Sequence, residues 1–171
     1  MKTTRKDKAL AIIFIVLSLI INVVIVYQAC LNGNLSSASS GTITKVLMDT
    51  INFVLPNTIN NGNYENFVVF VRKGIGHFGG FMVSGLFTTL AIYYTFKNVV
   101  WYKHLSGILI SLVFGIMLAS MTEIIQLTVD NRSGEFTDVL LDTAGYIVGI
   151  LIVLLIIYIL NKPKASNKQS Q

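Results

Sequence analysis

Long apolar runs alternate with short polar ones along this chain, and four runs reach the length that a lipid bilayer demands. The first extends from about Ala9 to Ala29 and the second from about Gly74 to Phe96. The third covers about Leu105 to Thr128, and the fourth about Val139 to Leu160. Each approaches the ~20 residues that a helix needs to cross a hydrocarbon core of ~30 Å. Between the first and second runs, Leu31 to Gly41 is rich in turn formers and reads as a polar loop. Ile43, Val46, Leu47, Ile51 and Val54 then recur at helical spacing, with Lys45, Asp49 and Asn52 between them. That pattern predicts a short helix lying in the membrane interface. Pro56 and the Asn/Gly cluster from Asn57 to Asn63 end it, and the apolar residues Phe67 to Val71 lead into the second run.

The expected fold is therefore an all-α membrane protein, with four transmembrane helices and an outer interfacial helix in the first loop. Residues 1–8 form a basic head, 9–160 the membrane domain, and 161–171 a polar tail expected to be disordered after Lys162-Pro163-Lys164. Small residues recur every four positions on three runs: Gly76, Gly80 and Ser84; Gly107, Ser111, Gly115 and Ala119; Gly145 and Gly149. Such spacing lets helix backbones approach closely in lipid, where packing drives association. It predicts a tight bundle of spans two to four, with the Ile/Val/Leu-rich first span more peripheral.

Composition agrees: of 171 residues, 53% are hydrophobic and only 12% charged, half the charge of an ordinary soluble domain. There is no length left for a separate soluble domain. The net charge of +5 does not indicate nucleic acid, because the cations sit at the ends of apolar runs. Nine of the thirteen Lys and Arg fall in the head, the Lys97–His104 loop and the tail. The other four are Lys45, Arg72, Lys73 and Arg132. The positive-inside rule then predicts a multi-pass protein with both termini cytoplasmic and the Cys30–Lys73 and Arg132 loops outside. Cys30 is the only cysteine, which excludes an internal disulfide. The run before it is long for a signal-peptide core and reads as a retained anchor.

Ionisable residues are costly within spans, at ~2.5–3.5 kcal/mol each on insertion scales, yet here they gather at one depth. Lys73 and His77, four apart, share a face of span two. Glu123 and Gln126 share a face near the end of span three, and Asp138 and Asp142 share one at the start of span four. Arg132 sits in the loop between the last two spans. Each also has a plain structural reading. Lys73 can be an interface anchor, His77 a buried histidine bonded to a neighbouring helix, and Gln126 interhelical glue. Glu123 can pair with Arg132, Asp138 can cap span four, and Asp142 can be a protonated hydrogen-bond donor.

Taken together, Lys73-x-x-x-His77-Phe78, Glu123-x-x-Gln126, Arg132, and Asp138 followed by Gly145 and Gly149 resemble the VanZ-like family of bacterial membrane proteins. The resemblance covers roughly residues 70–150 and implies a role in low-level resistance to teicoplanin-type lipoglycopeptides, without a defined reaction. Asp142 stands where the family usually has Asn, so this site carries an additional acid and its charge and pH dependence differ accordingly.

Two functions follow from the residues. One is a non-catalytic site for an anionic lipid, a lipid-linked wall precursor or the drug itself, with Lys73 and Arg132 on a phosphate or carboxylate and His77, Glu123, Gln126, Asp138 and Asp142 beside it. The other is an intramembrane enzyme acting on a lipid headgroup, with His77 and one of Glu123, Asp138 or Asp142 as general base and acid. A transporter or a structural partner of another membrane protein is a third class; the lack of an inverted repeat argues against transport. No nucleophile and no cofactor signature is evident. One His with Glu and two Asp, scattered over three runs, makes a poor zinc signature. The oligomeric state cannot be read from the sequence.

Overall fold

A computed structural model describes residues 4–96 and 104–161. The helices run in the order α1 (Arg5–Cys30), α2 (Gly33–Val54), α3 (Tyr64–Val69), a π-helical segment (Phe70–Gly79), α4 (Gly80–Phe96), α5 (His104–Leu127) and α6 (Phe136–Asn161). The segment from Tyr64 through Phe96 is continuous. With α1, α5 and α6 it makes four helices long and apolar enough to cross a membrane. The chain is a multi-pass membrane protein, as its hydropathy pattern predicts. Residues 1–3, the Lys97–Lys103 part of the expected loop and the tail from residue 162 lie outside the described residues.

The first span extends beyond its apolar run because a polar cap sustains it. α1 starts inside the basic head because Thr4 and Asp7 form a reciprocal capping box. The larger difference lies in the first loop. The stretch expected as a loop, Leu31 to Gly41, is helical from Gly33, and α2 continues to Val54. Asn32 initiates it by accepting from the Leu35 N–H at 2.9 Å. Tertiary contacts then outweigh the weak helix propensity of its Ser and Gly residues. The Gly33 N–H donates to the Asp130 carbonyl at 3.0 Å, and Ser36 accepts a hydrogen bond from Arg132. Gly33 lies so close to Asn131 that a Cβ would strike its carbonyl. Asn131 itself turns the loop in the left-handed region, at φ 58°, which Asn tolerates better than most residues.

The first span is a helix with two characters. Most of its Ile, Val and Leu side chains face outward, and only Ser18 and Ala29 are buried. A polar seam nevertheless docks it on α4. Ser18 and Thr88 hydroxyls meet at 2.8 Å, Ser84 donates to Asn22 Oδ1 at 2.6 Å, and Phe14 stacks on Phe87 and Tyr94. Hydroxyl and amide pairs of this kind join helices in lipid, where apolar exclusion cannot. The expected peripheral position holds for burial, but α1 is hydrogen-bonded into the bundle.

At the centre, Phe81, Leu118, Ala119, Tyr146 and Ile150 pack from α4, α5 and α6. Tyr146 is fully buried, and its hydroxyl meets Ser111, which also meets Thr89 at 2.7 Å. The small-residue pattern is right on α6 and mostly wrong on span two. A Cβ on Gly145 would strike the backbone of Phe78, and one on Gly149 the backbone of Met82. Gly115 accommodates the Tyr146 ring. On span two the close crossing is at Gly85, against Tyr146 backbone, whereas a Cβ on Gly76 or Gly80 would meet no other helix within 4 Å. The face of span two that meets α6 runs through Phe78, Met82 and Gly85. Gly76 and Gly80 stand two positions away from Phe78 and Met82, and residues two apart do not share a helix face.

Candidate functional site

The π-helical segment Phe70–Gly79 carries Arg72, Lys73 and His77. π-helical turns are rare and concentrate at functional sites. Here the widened backbone presents successive side chains to different neighbours. Lys73 reaches the α6 side, where Nζ lies 2.7 Å from Asp138 Oδ1 and 3.2 Å from Glu135 Oε2. It is therefore a fixed ion-pair partner rather than a free anchor. Asp138 accepts from Lys73 in place of the capping role read from its position.

One α-helical turn further on, His77 Nδ1 lies 3.1 Å from Asp142 Oδ1 and 3.9 Å from Glu123 Oε1, and its Nε2 lies 4.0 Å from Asp138 Oδ2. The three carboxylates come from two helices and are buried, with 4% exposure for Glu123, 3% for Asp138 and none for Asp142. Glu123 is oriented twice over. Gln126 Nε2 donates to Oε1 at 2.9 Å, and the Glu135 backbone N–H donates to Oε2 at 3.0 Å. Gly134 makes this possible, since a Cβ there would strike the Glu123 carbonyl and Leu127. Among the described residues, Asp142 has a single hydrogen-bonding partner, the His77 Nδ1, for both of its oxygens.

Six of the seven residues singled out from sequence thus form one connected polar network: Lys73, His77, Glu123, Gln126, Asp138 and Asp142. Arg132 belongs to the same end of the bundle but turns away from the network. It neither bonds nor pairs with Glu123, and instead donates through Nη1 to Ser36 of α2. Its Nε is buried without a hydrogen-bonding partner among the described residues. Burial pushes the guanidinium below its usual pKa and the adjacent Arg72 adds to that, while Glu123 and Asp138 oppose it.

Between the network and α2 lies a cleft of about 310 Å³. Its polar wall includes Arg72, His77, Gln126, Arg132, Asp142 and the serines Ser36, Ser39 and Ser40 of α2. Its apolar wall includes Val24, Ile25, Ile43, Val71, Ile75 and Phe81. Gly76 and Gly80, at which a Cβ would meet no other helix within 4 Å, line it as well. Lys73, Glu123 and Asp138 do not line it. Arg72, Glu135 and the α2 serines were not among the residues singled out from sequence. The adjacency of Arg72 to Lys73 was an available signal, but nothing in the sequence showed that α2 would cover the cluster.

No curated protein and no solved structure matches this chain. A family model described as VanZ/LLP1 matches residues 14–158, which takes in most of the first and last spans, the whole of the middle two, α2 and every residue of the network. On that match, the multi-pass protein built around this polar network belongs to the VanZ/LLP1 family.

Proposed function

We propose that the cleft binds an anionic amphiphile at the outer leaflet of the bacterial cell membrane, with its phosphate or carboxylate on Arg132 and Arg72. One observation carries the reading: a buried Arg132 Nε without a partner among the described residues, at the polar end of a cleft whose other wall is apolar. A buried donor left unpaired costs roughly 1–3 kcal/mol, and an anionic oxygen relieves that cost. A guanidinium is also the natural fork for phosphate or carboxylate. The cleft volume, near the small end of ligand sites, suits a headgroup and the start of an acyl chain. Lys73, held by two carboxylates, yields the anion-binding role to Arg72. Low-level resistance to teicoplanin-type lipoglycopeptides, the phenotype implied by the family resemblance, would follow from holding a phospholipid, a lipid-linked wall precursor or the drug in this cleft.

The test is lipid identification. Protein purified in mild detergent is expected to carry an anionic lipid enriched over the bulk membrane, as read by mass spectrometry. Arg132→Ala should reduce that enrichment roughly 10–100-fold, the equivalent of about 1.5–3 kcal/mol for a charge-assisted hydrogen bond. A co-purified lipid profile identical to the bulk membrane in both proteins would refute the reading.

Orientation is tested separately. Cys30 is free and exposed at the cleft end of α1. The excess of cations at the other end predicts that this end faces outward. A membrane-impermeant maleimide should label Cys30 in intact cells, and protection there with labelling only after lysis would invert the topology.

A second reading, acid–base chemistry on a lipid headgroup, draws on the 3.1 Å contact between His77 and buried Asp142, which is a base held by an orienting acid. The two readings separate at Glu123→Gln. Proton transfer through Glu123 would be lost, whereas a carboxamide can still support a bound ligand.

A further inference from the structure

Glu123 and Asp142 are buried carboxylates on different helices, and each faces the same imidazole nitrogen. We propose that His77, Glu123 and Asp142 form a binding site for one divalent cation of the zinc type, with a fourth coordination position open to the cleft. One ligand atom from each of the three residues lies within 4.8 Å of the other two. The His77 Nδ1 to carboxylate distances are 3.1 and 3.9 Å. Zinc bonds of ~2.0–2.2 Å place neighbouring tetrahedral ligands about 3.4 Å apart, so the donors need only small side-chain adjustments to close on an ion.

Three further observations point to a cation. In the deprotonated form that ligates a metal, two carboxylates and a neutral imidazole carry two negative charges, and a divalent ion neutralises them at a depth where unpaired charge is costly. Asp142 is fully buried with both oxygens directed at a single nitrogen. That arrangement leaves most of the acceptor capacity of a carboxylate unused. The surroundings also have the form of an outer coordination shell. Gln126 and the Glu135 backbone fix the Glu123 carboxylate by hydrogen bonds. Groups in those positions orient metal ligands and raise their basicity.

Along the chain the ligands are distant, and one histidine among acids reads as a poor zinc signature. The bundle brings them together in space. His77 and Asp142 both line the cleft, so the ion would present its open position there, where water or an anionic oxygen can occupy it. The inference does not rest on the anion-binding role of Arg132, which bonds none of the three ligands.

The test uses full-length protein purified through a tag without histidines, stripped with a chelator and dialysed against Zn²⁺. Wild type and Arg132→Ala are both expected to retain one Zn²⁺ per chain. His77→Ala and Asp142→Asn should weaken binding by more than the roughly 10–100-fold that loss of a supporting partner costs. Zn²⁺ should also raise the thermal transition of wild-type protein in a saturable way, since a ligand that binds only the folded state stabilises it. Co²⁺ in place of Zn²⁺ should give the intense visible absorption of a four-coordinate site. If either variant fails to fold, the wild-type melt and the Co²⁺ spectrum decide. Retention equal in wild type and His77→Ala, or a wild-type transition unmoved by Zn²⁺, overturns the proposal. Loss of lipid enrichment in Arg132→Ala with Zn²⁺ retained would leave both readings intact. Zn²⁺ bound without lipid enrichment in wild type would remove only the anion-binding reading.

Discussion

Gly145→Val is expected to prevent the bundle from assembling in its native form. The Cβ would land on the Phe78 backbone, and backbone cannot swing aside as a flexible side chain can. Overpacking a well-filled interior costs about 1–3 kcal/mol and occasionally more. Here the only relief is to separate α6 from the π-helical segment, so the upper end or beyond applies. Separation would carry His77, the residue before Phe78, away from Asp142, whose sole hydrogen-bonding partner among the described residues it is. The variant should show a lowered thermal transition in detergent and reduced accumulation in the membrane. Gly80→Ala serves as the control, because a Cβ there meets nothing within 4 Å. A transition for Gly145→Val within about 1 °C of wild type would mean that α6 does not cross Phe78 this closely.

Removing Lys73 should have the second largest effect, and a second substitution should cancel most of it. Lys73→Met leaves Asp138 buried, with its cationic partner gone. Breaking one side of a buried pair typically costs about 3–5 kcal/mol. The lysine side chain is 38% exposed, so solvent screening places the expected loss nearer 2 kcal/mol. Asp138→Asn added to Lys73→Met removes the unpaired charge and should recover most of the stability. A double-mutant cycle on unfolding free energies measures the coupling. If the double variant is as unstable as the sum of the singles, the two residues do not act as a pair.

Much of the site was legible in the sequence because hydrocarbon filters what a spanning helix can contain. Lys73, His77, Glu123, Asp138 and Asp142 stand out against apolar runs, and a one-turn offset on each helix places them at one depth. Their partners were less legible. Glu123 with Arg132 was a reasonable pairing by charge and proximity in the chain. The loop instead turns at Asn131 and sends Arg132 to Ser36, and the Glu135 backbone takes up Glu123. Hydrogen-bond choice among several polar neighbours depends on backbone direction, which charge alone does not encode.

Two features were decided wholly by tertiary structure. α2 begins ten residues before its apolar periodicity does, because Asn32 caps it and Gly33 and Ser36 dock on the Arg132 loop. That docking closes the cleft, and no local propensity predicts it. The face of span two that crosses α6 runs through Phe78, Met82 and Gly85 rather than Gly76 and Gly80, and which of the helix's faces meets α6 is settled only by the packing of the bundle.

By itself, the sequence determined that the chain spans a membrane four times and that its polar groups collect at one end, because the cost of burying charge in lipid is read residue by residue. Which groups touch, where the cleft opens and which glycines carry the crossings depended on contacts between segments far apart in the chain. Those contacts are set by packing geometry, which only the folded bundle supplies.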